Sequence, residues 1–178
     1  MAFDEQLLEN IRSLKLLILD VDGVLTDGKV ILDDTGREIK HFDVRDGHGL
    51  KMLMRYGIEV VFLTGRRSSV VEYRACDLGV VEVYQGVKNK LEMYDEIVEK
   101  KNIAGAQAAY MGDDIIDIPF MRRVGFSIAV ADAANEVKEI ADYVTEKSGG
   151  RGAVREVCDL ILKLQGKWEE VAEKYELP

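Results

Sequence analysis

The segment that decides the fold runs Leu16-Leu17-Ile18-Leu19-Asp20-Val21-Asp22-Gly23-Val24-Leu25-Thr26. Its first four residues form a short, continuous apolar run, which is typical of a strand buried on both faces of a parallel sheet. In an extended chain, side chains two positions apart point to the same side. The segment therefore predicts a buried strand with Asp20 and Asp22 side by side at its carboxyl end.

Similar short apolar runs recur along the chain and alternate with longer segments of helical period. This alternation is typical of an α/β protein whose parallel sheet is covered by helices. We expect Ser68 and Asn135 to be helix N-caps, and Gly57 and Gly79 to end helices. The predicted strands are 15–19, 59–63, 81–84, 108–111, 126–130 and 143–145, and the predicted helices are 49–56, 68–78, 88–100, 115–122, 135–140 and 154–165.

One element breaks the alternation directly after the first strand. Residues 29–42, with the turn Asp33-Asp34-Thr35-Gly36 at their centre, predict a β-hairpin. No insertion is long enough to form a second domain of typical size, so we expect one domain over residues 1–178 and no cap domain. In the charged tail 166–178, three apolar residues at helical spacing predict either a docking helix or a contact with a neighbouring subunit: Trp168, Val171 and Tyr175.

Composition narrows the class of function. The 178 residues carry 33 acidic against 24 basic side chains, a formal net charge of −9, which disfavours nucleic acid as a partner. No apolar run approaches the ~20 residues of a membrane span, and the N-terminus lacks a signal-peptide pattern. We therefore expect a soluble, cytoplasmic protein. Cys76 and Cys158 have no partner at metal-binding spacing, and both are expected to be buried core thiols.

Three later strands of the predicted sheet also lead into polar side chains. Thr64-Gly65-Arg66 follows one strand, Lys90 begins the helix after the next, and Gly112-Asp113-Asp114-Ile115-Ile116-Asp117 follows a third. The carboxyl ends of parallel strands meet at one edge of a sheet. Several carboxylates gathered there need a cation, and oxygen ligands without His or Cys suit Mg²⁺. The sequence therefore predicts a magnesium site.

Each motif taken alone has a simpler explanation. An Asp-Gly pair is commonly a turn, Thr64-Gly65 could cap a helix, and Gly112-Asp113 could be an ordinary strand-to-helix turn. All four together and in order favour phosphoryl transfer, in which positioning and charge neutralisation supply most of the rate. A carboxylate can itself accept the phosphoryl group.

The four motifs resemble those of the haloacid dehalogenase superfamily: Asp20-x-Asp22-Gly-Val-x-Thr26, Thr64, Lys90 and Gly112-Asp113-Asp114-x-x-Asp117. Segments 42–47, 63–66 and 149–156, together with the missing cap, are similar to the 3-deoxy-D-manno-octulosonate 8-phosphate phosphatases of that superfamily. The resemblance implies a three-layer, Rossmann-like, capless fold. It also implies a Mg²⁺-dependent sugar-acid phosphatase in lipopolysaccharide precursor synthesis.

The resemblance also implies a role for each motif residue. Asp20 is expected to be the nucleophile that forms an aspartyl phosphate, and Asp22 the acid that protonates the leaving oxygen and later the base that activates water. Thr64 and Lys90 are expected to bind the phosphoryl group. The implied Mg²⁺ ligands are the Asp20 carboxylate, the Asp22 backbone carbonyl and the Asp113 carboxylate, with Asp114 or Asp117 in an outer position.

A phosphorylated sugar acid is charged at both ends, so its site needs cations beyond those on the phosphate, preferably Arg. Lys51 stands where relatives tend to have Arg, and Lys51 and Arg74 could instead be solvated helix-face residues. The substrate contacts implied by the resemblance are Asp22, Asp43, Val44, Arg45, Asp46, Gly47, Lys51, Gly65, Arg66, Arg74 and Lys90. Neither His41 nor His48 is expected to bind metal.

Without a cap domain, the hairpin 29–42 is the expected flap over the site. The resemblance implies a homotetramer whose hairpins meet centrally and whose adjacent subunits complete each site, with the Gly149–Gly152 loop bordering a site. Two rival functions stay open from the motifs alone. One is a phosphatase for a nonulosonate 9-phosphate or another small sugar phosphate, and the other is a noncatalytic, receiver-like module that holds a phosphoaspartate.

Overall fold

A six-stranded, wholly parallel sheet forms the centre of the protein. The computed structural model describes residues 3–177. The predicted domain (1–178) and tail (166–178) extend to Met1, Ala2 and Pro178, which lie outside the described residues. The strands are β1 (Leu16–Leu19), β2 (Ile31–Leu32), β3 (Glu38–Ile39), β4 (Glu59–Thr64), β5 (Glu82–Gln85), β6 (Ala108–Gly112), β7 (Phe126–Ala129) and β8 (Tyr143–Val144). The sheet order is β5-β4-β1-β6-β7-β8, and β2 pairs with β3 in a separate hairpin.

Helices cover both faces of this sheet, as the alternating pattern predicts. They are α1 (Glu5–Arg12), α2 (Val44–Arg55), α3 (Ser69–Leu78), α4 (Lys90–Lys101), α5 (Ile118–Met121), α6 (Asn135–Ile140), α7 (Ala153–Leu164) and α8 (Trp168–Lys174). One layer contains α1, α2, α3 and α7, and the other contains α4, α5 and α6. The α/β prediction is thereby confirmed, with all six predicted strands of the central sheet present.

Strand β1 lies at the point in the sheet where the order of the strands reverses. After β1 the chain builds β4 and β5 on one side, and it then returns to add β6 on the other. Every residue of β1 is buried, because helices cover both of its faces. In open α/β sheets a ligand crevice forms at such a switch point, outside the carboxyl ends of the strands. The two acids that follow β1 therefore lie at the position where this architecture binds ligands.

Several element boundaries differ from the sequence prediction for local reasons. Helix α2 begins at Val44 rather than at residue 49, because the Asp43 side chain caps it and its interior glycines are used for close packing. Residues 115–122 divide into a 3₁₀ turn, Ile115–Asp117, and α5. Helix α1, capped by Asp4, was not predicted.

Two single-residue predictions are corrected, those for Asn135 and Cys76, and the position predicted for Ser68 is confirmed. Asn135 is the first residue of α6 rather than its N-cap, which is Ala134. Ser68 occupies the N-cap position of α3, but its side chain makes no capping hydrogen bond. Cys76 is exposed rather than buried, because the buried face of α3 falls on Val71, Ala75 and Leu78, whereas Cys158 is buried as expected.

The predicted hairpin and tail both have defined positions. Ile31 pairs with Ile39 across the hairpin, and the Gly36 backbone N–H donates to the Asp33 carbonyl at 2.9 Å to close the turn. In the tail, α8 buries Val171 and the Tyr175 hydroxyl lies 3.0 Å from His48 Nε2, on α2. The tail is thus a docking helix on its own chain. No helix among residues 3–177 has the length and apolar character needed to cross a membrane.

Asp46, one of the expected substrate contacts, has a structural role in this chain. Its side chain is buried, and the residue is only 1% exposed. The carboxylate accepts backbone N–H groups from Gly152 at 3.2 Å and from Arg155 at 2.8 Å, at the start of α7. Burial raises the pKa of Asp46, while these two donors oppose that shift. Asp46 therefore joins α2 to α7, and its expected contact with substrate stays a prediction.

We expect Asp46→Ala to lower the free energy of unfolding by about 1–3 kcal/mol, because two buried N–H groups lose their acceptor. Urea denaturation followed by circular dichroism measures this change. Asp34→Ala, an acid in the exposed hairpin turn, is the control and should change it by less than about 0.5 kcal/mol. Equal stability of the two variants would contradict this role of Asp46.

Candidate active site

The polar residues that follow β1, β4 and β6 meet at one edge of the sheet. Asp20 directly follows β1, and its backbone N–H donates to the Met111 carbonyl of β6 at 3.0 Å. Thr64 is the last residue of β4, which pairs with β1 on the other side. Thr64 is buried, and its hydroxyl accepts the Arg66 backbone N–H at 3.3 Å. The strand register thus brings the motifs together as predicted.

Three carboxylates form a cluster at this edge. Oxygens of Asp20, Asp113 and Asp117 all lie within 4.8 Å of one another. Burial, followed by the charges of Asp20 and Asp117, raises the pKa of Asp113 to about 7. Burial also raises the pKa of Asp20 to about 6, although Lys90 opposes the shift. Such a cluster is stabilised by a bound cation, and its all-oxygen donor set fits Mg²⁺.

Lys90 is the cation that the chain itself supplies to this cluster. It is the first residue of α4, and its buried Nζ donates to Asp20 Oδ1 at 2.9 Å and to Asp117 Oδ1 at 2.8 Å. Burial alone would lower the pKa of Lys90, but Asp20 and Asp117 outweigh it and raise the pKa. Lys90 therefore stays protonated beside the nucleophile candidate.

Asp117, rather than Asp114, belongs to the cluster. Asp117 is fully buried and accepts hydrogen bonds from the Tyr110 hydroxyl at 2.6 Å and from the Asp113 backbone N–H at 3.0 Å, in addition to Lys90. Asp114 is exposed, and its carboxylate accepts the Ile115 backbone N–H at 2.7 Å. The oxygens of Asp117 are thus used to hold Lys90 and the backbone of the fourth motif.

The loop after β1 depends on glycine where it meets Asp113. Gly23 has φ +95°, and a Cβ there would overlap the Asp113 carboxylate. Thr26 fixes the loop, because its hydroxyl accepts the backbone N–H groups of Gly23 at 3.4 Å and of Gly28 at 3.3 Å. A side chain at Gly149 would likewise overlap the Gly23 carbonyl. The Gly149–Gly152 loop thus packs directly against the catalytic loop of its own chain.

The sequence did not predict two residues at the site, Glu38 and Lys40, which lie in and just after strand β3 of the hairpin. Lys40, just beyond β3, contacts the Asp22 carboxylate, and its Nζ lies 3.2 Å from Glu38 Oε1. The same Glu38 oxygen accepts from Arg66 Nη2 at 2.6 Å. Arg66 also lies near Asp22, with 3.7 Å between its Nε and Asp22 Oδ2. The sequence signal that could have found them is the segment Arg37-Glu38-Ile39-Lys40, whose charged side chains alternate in sign.

The expected substrate residues separate into two groups. Asp22, Gly65, Arg66 and Lys90 lie at or beside the carboxylate cluster. The others lie on α2 and α3 or just before α2, and among residues 3–177 no side-chain hydrogen bond or ion pair joins them to that cluster. This second group comprises Asp43, Val44, Arg45, Asp46, Gly47, Lys51 and Arg74.

The second group forms its own surface. The Arg45 guanidinium donates to both oxygens of Asp43, at 3.2 Å and 2.7 Å, and these bonds lower the pKa of Asp43. Arg74 Nη2 donates to the Asp43 carbonyl at 3.3 Å. Val44 is 80% exposed, and Lys51 is exposed near it, on a depression of about 200 Å³ beside His48 and Arg74. This surface is polar and open, and at one end Asp43 lines a second depression, of about 160 Å³, together with Asp27 of the loop after β1.

Comparison with known proteins gives the family. The chain is 53% identical over 162 residues to the 3-deoxy-D-manno-octulosonate 8-phosphate phosphatase KdsC of Salmonella typhimurium, covering 91% of this chain and 85% of the relative. The chain belongs to this phosphatase family. Residues 76–157 also match the family model of haloacid dehalogenase-like hydrolases. The chain is accordingly a phosphoric monoester hydrolase of the haloacid dehalogenase superfamily.

Solved structures of the phosphatase family share the fold. The Yersinia pestis phosphatase superposes with a TM-score of 0.90 at 47% identity, covering 93% of this chain and 89% of that one. The phosphatase of Moraxella catarrhalis, solved in complex with magnesium ion, phosphate ion and a KDO molecule, superposes with a TM-score of 0.93 at 39% identity. That alignment covers 96% of this chain and 98% of the other. The capless architecture is thus that of the phosphatase family.

We expect Mg²⁺ to stabilise this phosphatase more at about pH 8 than at about pH 5. With a pKa of about 7, folded Asp113 keeps a proton that the unfolded chain has lost, so metal-free stability falls as pH rises towards 7. Mg²⁺ competes with that proton and relieves the repulsion. At ~100 times its dissociation constant it adds about 2.7 kcal/mol, or about 5–11 °C in Tm.

Thermal unfolding with and without MgCl₂ at the two pH values measures this effect. Asp113→Asn is the matched variant: it should raise the metal-free Tm at the higher pH and abolish the response to Mg²⁺. A response to Mg²⁺ that is equal at both pH values would contradict the site.

Proposed function

We propose that this protein hydrolyses the 8-phosphate ester of 3-deoxy-D-manno-octulosonate, with Mg²⁺ as cofactor, to the free sugar acid and inorganic phosphate. The single observation that carries the proposal is the convergence of Asp20, Asp113, Asp117 and Lys90 at the end of β1 in a chain 53% identical to such phosphatases. The product belongs to lipopolysaccharide precursor synthesis. We place the enzyme in the cytoplasm, where sugar-acid precursors are made.

In the first half of the reaction a carboxylate oxygen of Asp20 attacks phosphorus. A bond forms between this oxygen and phosphorus, the bond from phosphorus to the sugar oxygen breaks, and Asp22 gives its proton to the departing oxygen. Lys90, 2.9 Å from Asp20, offsets the charge of the transferring group, and Thr64 offers its hydroxyl to it. The products of this half-reaction are the sugar acid and a phosphoaspartate.

In the second half of the reaction water attacks the phosphorus of the phosphoaspartate. Asp22 takes a proton from that water, the acyl–phosphate bond breaks, and Asp20 is regenerated as inorganic phosphate departs. The Asp20 and Asp113 carboxylates and the Asp22 carbonyl would hold Mg²⁺, which when bound neutralises charge on the phosphoryl oxygens. Asp117 holds Lys90 and the backbone of the fourth motif through the hydrogen bonds that its carboxylate accepts.

The carboxylate of the sugar acid is expected to bind Arg66. The Arg66 side chain is 47% exposed, and its guanidinium has further donors beside the one used by Glu38. Arg binds carboxylates through paired donors. Arg66 also lies near Asp22, so a sugar acid that extends from the phosphoryl site would pass it. This arrangement supports a substrate with anions at both ends.

We further propose that the protein is a homotetramer in which adjacent subunits complete each site. Two observations support this assembly. The hairpin exposes three apolar residues, Val30, Leu32 and Ile39, which are 55%, 59% and 45% exposed and form a large apolar surface for a small element. In addition, Val44, Arg45 and Lys51 are exposed and, among residues 3–177, make no hydrogen bond or ion pair to the carboxylate cluster of their own chain, so they are available to a neighbour's site.

Steady-state phosphate release from a panel of sugar phosphates, with and without Mg²⁺, tests the proposed substrate. We expect the highest kcat/KM for 3-deoxy-D-manno-octulosonate 8-phosphate and loss of turnover after chelation. Asp20→Asn should abolish turnover because it removes the nucleophile, while its circular dichroism spectrum stays that of the wild type. A higher kcat/KM for a nonulosonate 9-phosphate would reassign the substrate, and a long-lived phosphoaspartate without turnover would indicate a signalling module.

The assembly is tested by dilution. Specific activity should fall as the protein is diluted to monomers, as followed by sedimentation velocity at the same concentrations. Ile39→Asp should shift the protein to monomers at higher concentrations, because it places a charge on the apolar hairpin surface. Full specific activity in a sample that sediments as a monomer would contradict the proposal that neighbours complete the site.

A further inference from the structure

The flap carries a buried lysine that the motifs do not account for. The Lys40 side chain is only 1% exposed, although it belongs to a hairpin whose other residues are mostly at the surface. A lysine is rarely buried to this extent unless it is paired. Lys40 lies between two carboxylates, those of Asp22 and Glu38. Its burial therefore depends on the flap being closed over Asp22.

Asp22 needs such a partner to be oriented. The terminal torsion of an aspartate is broad, so that the carboxylate of a loop residue turns unless a bond holds it. Among residues 3–177, Lys40 is the only hydrogen-bond donor to the Asp22 side chain. Lys40 contacts Oδ1, whereas Arg66 Nε stays 3.7 Å from Oδ2, beyond hydrogen-bond distance. One carboxylate oxygen is thus held, and the other remains free for a proton.

The four charged groups form a closed ring of alternating sign. Asp22 contacts Lys40, Lys40 contacts Glu38 at 3.2 Å, Glu38 accepts from Arg66 at 2.6 Å, and Arg66 returns to the vicinity of Asp22. Two negative and two positive charges cancel, so the ring can close without leaving an unpaired buried charge. Glu38 holds Lys40 from the side opposite Asp22. The ring therefore ties the flap to Asp22 in one geometry.

We propose that Lys40 is a positioning residue for the reaction: from the closed flap it orients the Asp22 carboxylate so that Asp22 can protonate the departing sugar oxygen. Glu38 supports this role by fixing the ammonium group of Lys40. Closure of the flap and assembly of the acid are then the same event. The proposal rests on the proposed function in taking an alkyl phosphate as the substrate and Asp22 as the acid.

Loss of the Lys40 contact should affect alkyl and aryl leaving groups differently. An alkyl oxygen departs with difficulty unless it is protonated, whereas a nitrophenolate departs readily without a proton. Loss of an oriented acid therefore slows phosphoryl transfer from the sugar ester and spares transfer from p-nitrophenyl phosphate. General damage to the fold, to the phosphoryl site or to the metal site slows both. The parameter to compare is kcat/KM, because it reports on the steps through phosphoryl transfer.

The test is kcat/KM of Lys40→Met for 3-deoxy-D-manno-octulosonate 8-phosphate and for p-nitrophenyl phosphate. We expect a fall of about 10- to 100-fold for the sugar ester and of less than about threefold for the aryl ester. Lys40→Gln, which keeps a donor but loses the charge, should show a smaller fall in the same direction. This second variant carries the test if Lys40→Met does not fold by circular dichroism.

Arg37→Met is the matched control, because it removes a positive charge from the same hairpin. Arg37 is exposed, and its side chain makes no hydrogen bond or ion pair within the described residues. Both of its kcat/KM values should stay within about twofold of the wild type. Equal losses on the two esters in the Lys40 variants, or an unchanged or increased rate on the sugar ester, would overturn the proposal.

Failure of the proposal for Lys40 can be told apart from failure of the proposed function. If the wild type does not hydrolyse 3-deoxy-D-manno-octulosonate 8-phosphate, the substrate assignment fails. The same comparison is then made with the alkyl phosphate that the wild type hydrolyses best, and the same ratio of losses decides the role of Lys40.

Discussion

Mutual repulsion among buried carboxylates is the constraint on which this site depends. Two unit charges 4 Å apart repel by about 4 kcal/mol at an effective dielectric constant of ~20, and three acids with oxygens within 4.8 Å include three such pairs. Lys90 relieves part of that repulsion, but one ammonium group cannot neutralise three carboxylates. The remaining negative charge makes a divalent cation the natural completion of the site. Burial is the main reason why the pKa values of Asp20 and Asp113 are both raised, and the neighbouring carboxylates add to it.

The fold holds these acids in place against their repulsion. Asp20 directly follows a strand buried on both faces, and Asp117 is anchored by Tyr110, Lys90 and two backbone N–H groups. The parallel register of β1 and β6 then fixes the distance between the first motif and the fourth within narrow limits. The hydrophobic burial of the sheet thus offsets the electrostatic cost at its edge. A site that is strained without its ion can in this way remain part of a stable domain.

The sequence was sufficient to predict the parts of the structure that follow from local rules. Asp20, Thr64 and Asp113 follow apolar runs, and the strand-end rule for parallel sheets brings such residues together. The expected substrate contact of Asp46 came from the resemblance and stays a prediction, but nothing in the sequence indicated that the packing of α2 on α7 turns its carboxylate towards the Gly152 and Arg155 backbone. Which face of a helix a buried acid occupies depends on tertiary packing and cannot be predicted from spacing alone. For the same reason Lys40 was missed, since its partner Asp22 lies 18 residues away and is reached only when the hairpin folds back. The roles of the motif residues in the reaction remain predictions.

The glycine of the first motif has a consequence for how this protein can change over generations. Any side chain at Gly23 would collide with Asp113, and any side chain at Gly149 would collide with the Gly23 carbonyl. The obstacle at Gly149 is backbone, and Gly23 has a positive φ that side chains rarely adopt, so a substitution at one of these positions does not make room for a larger residue at another. A lineage could therefore remodel this loop only by moving its backbone, and not by exchanging side chains one at a time.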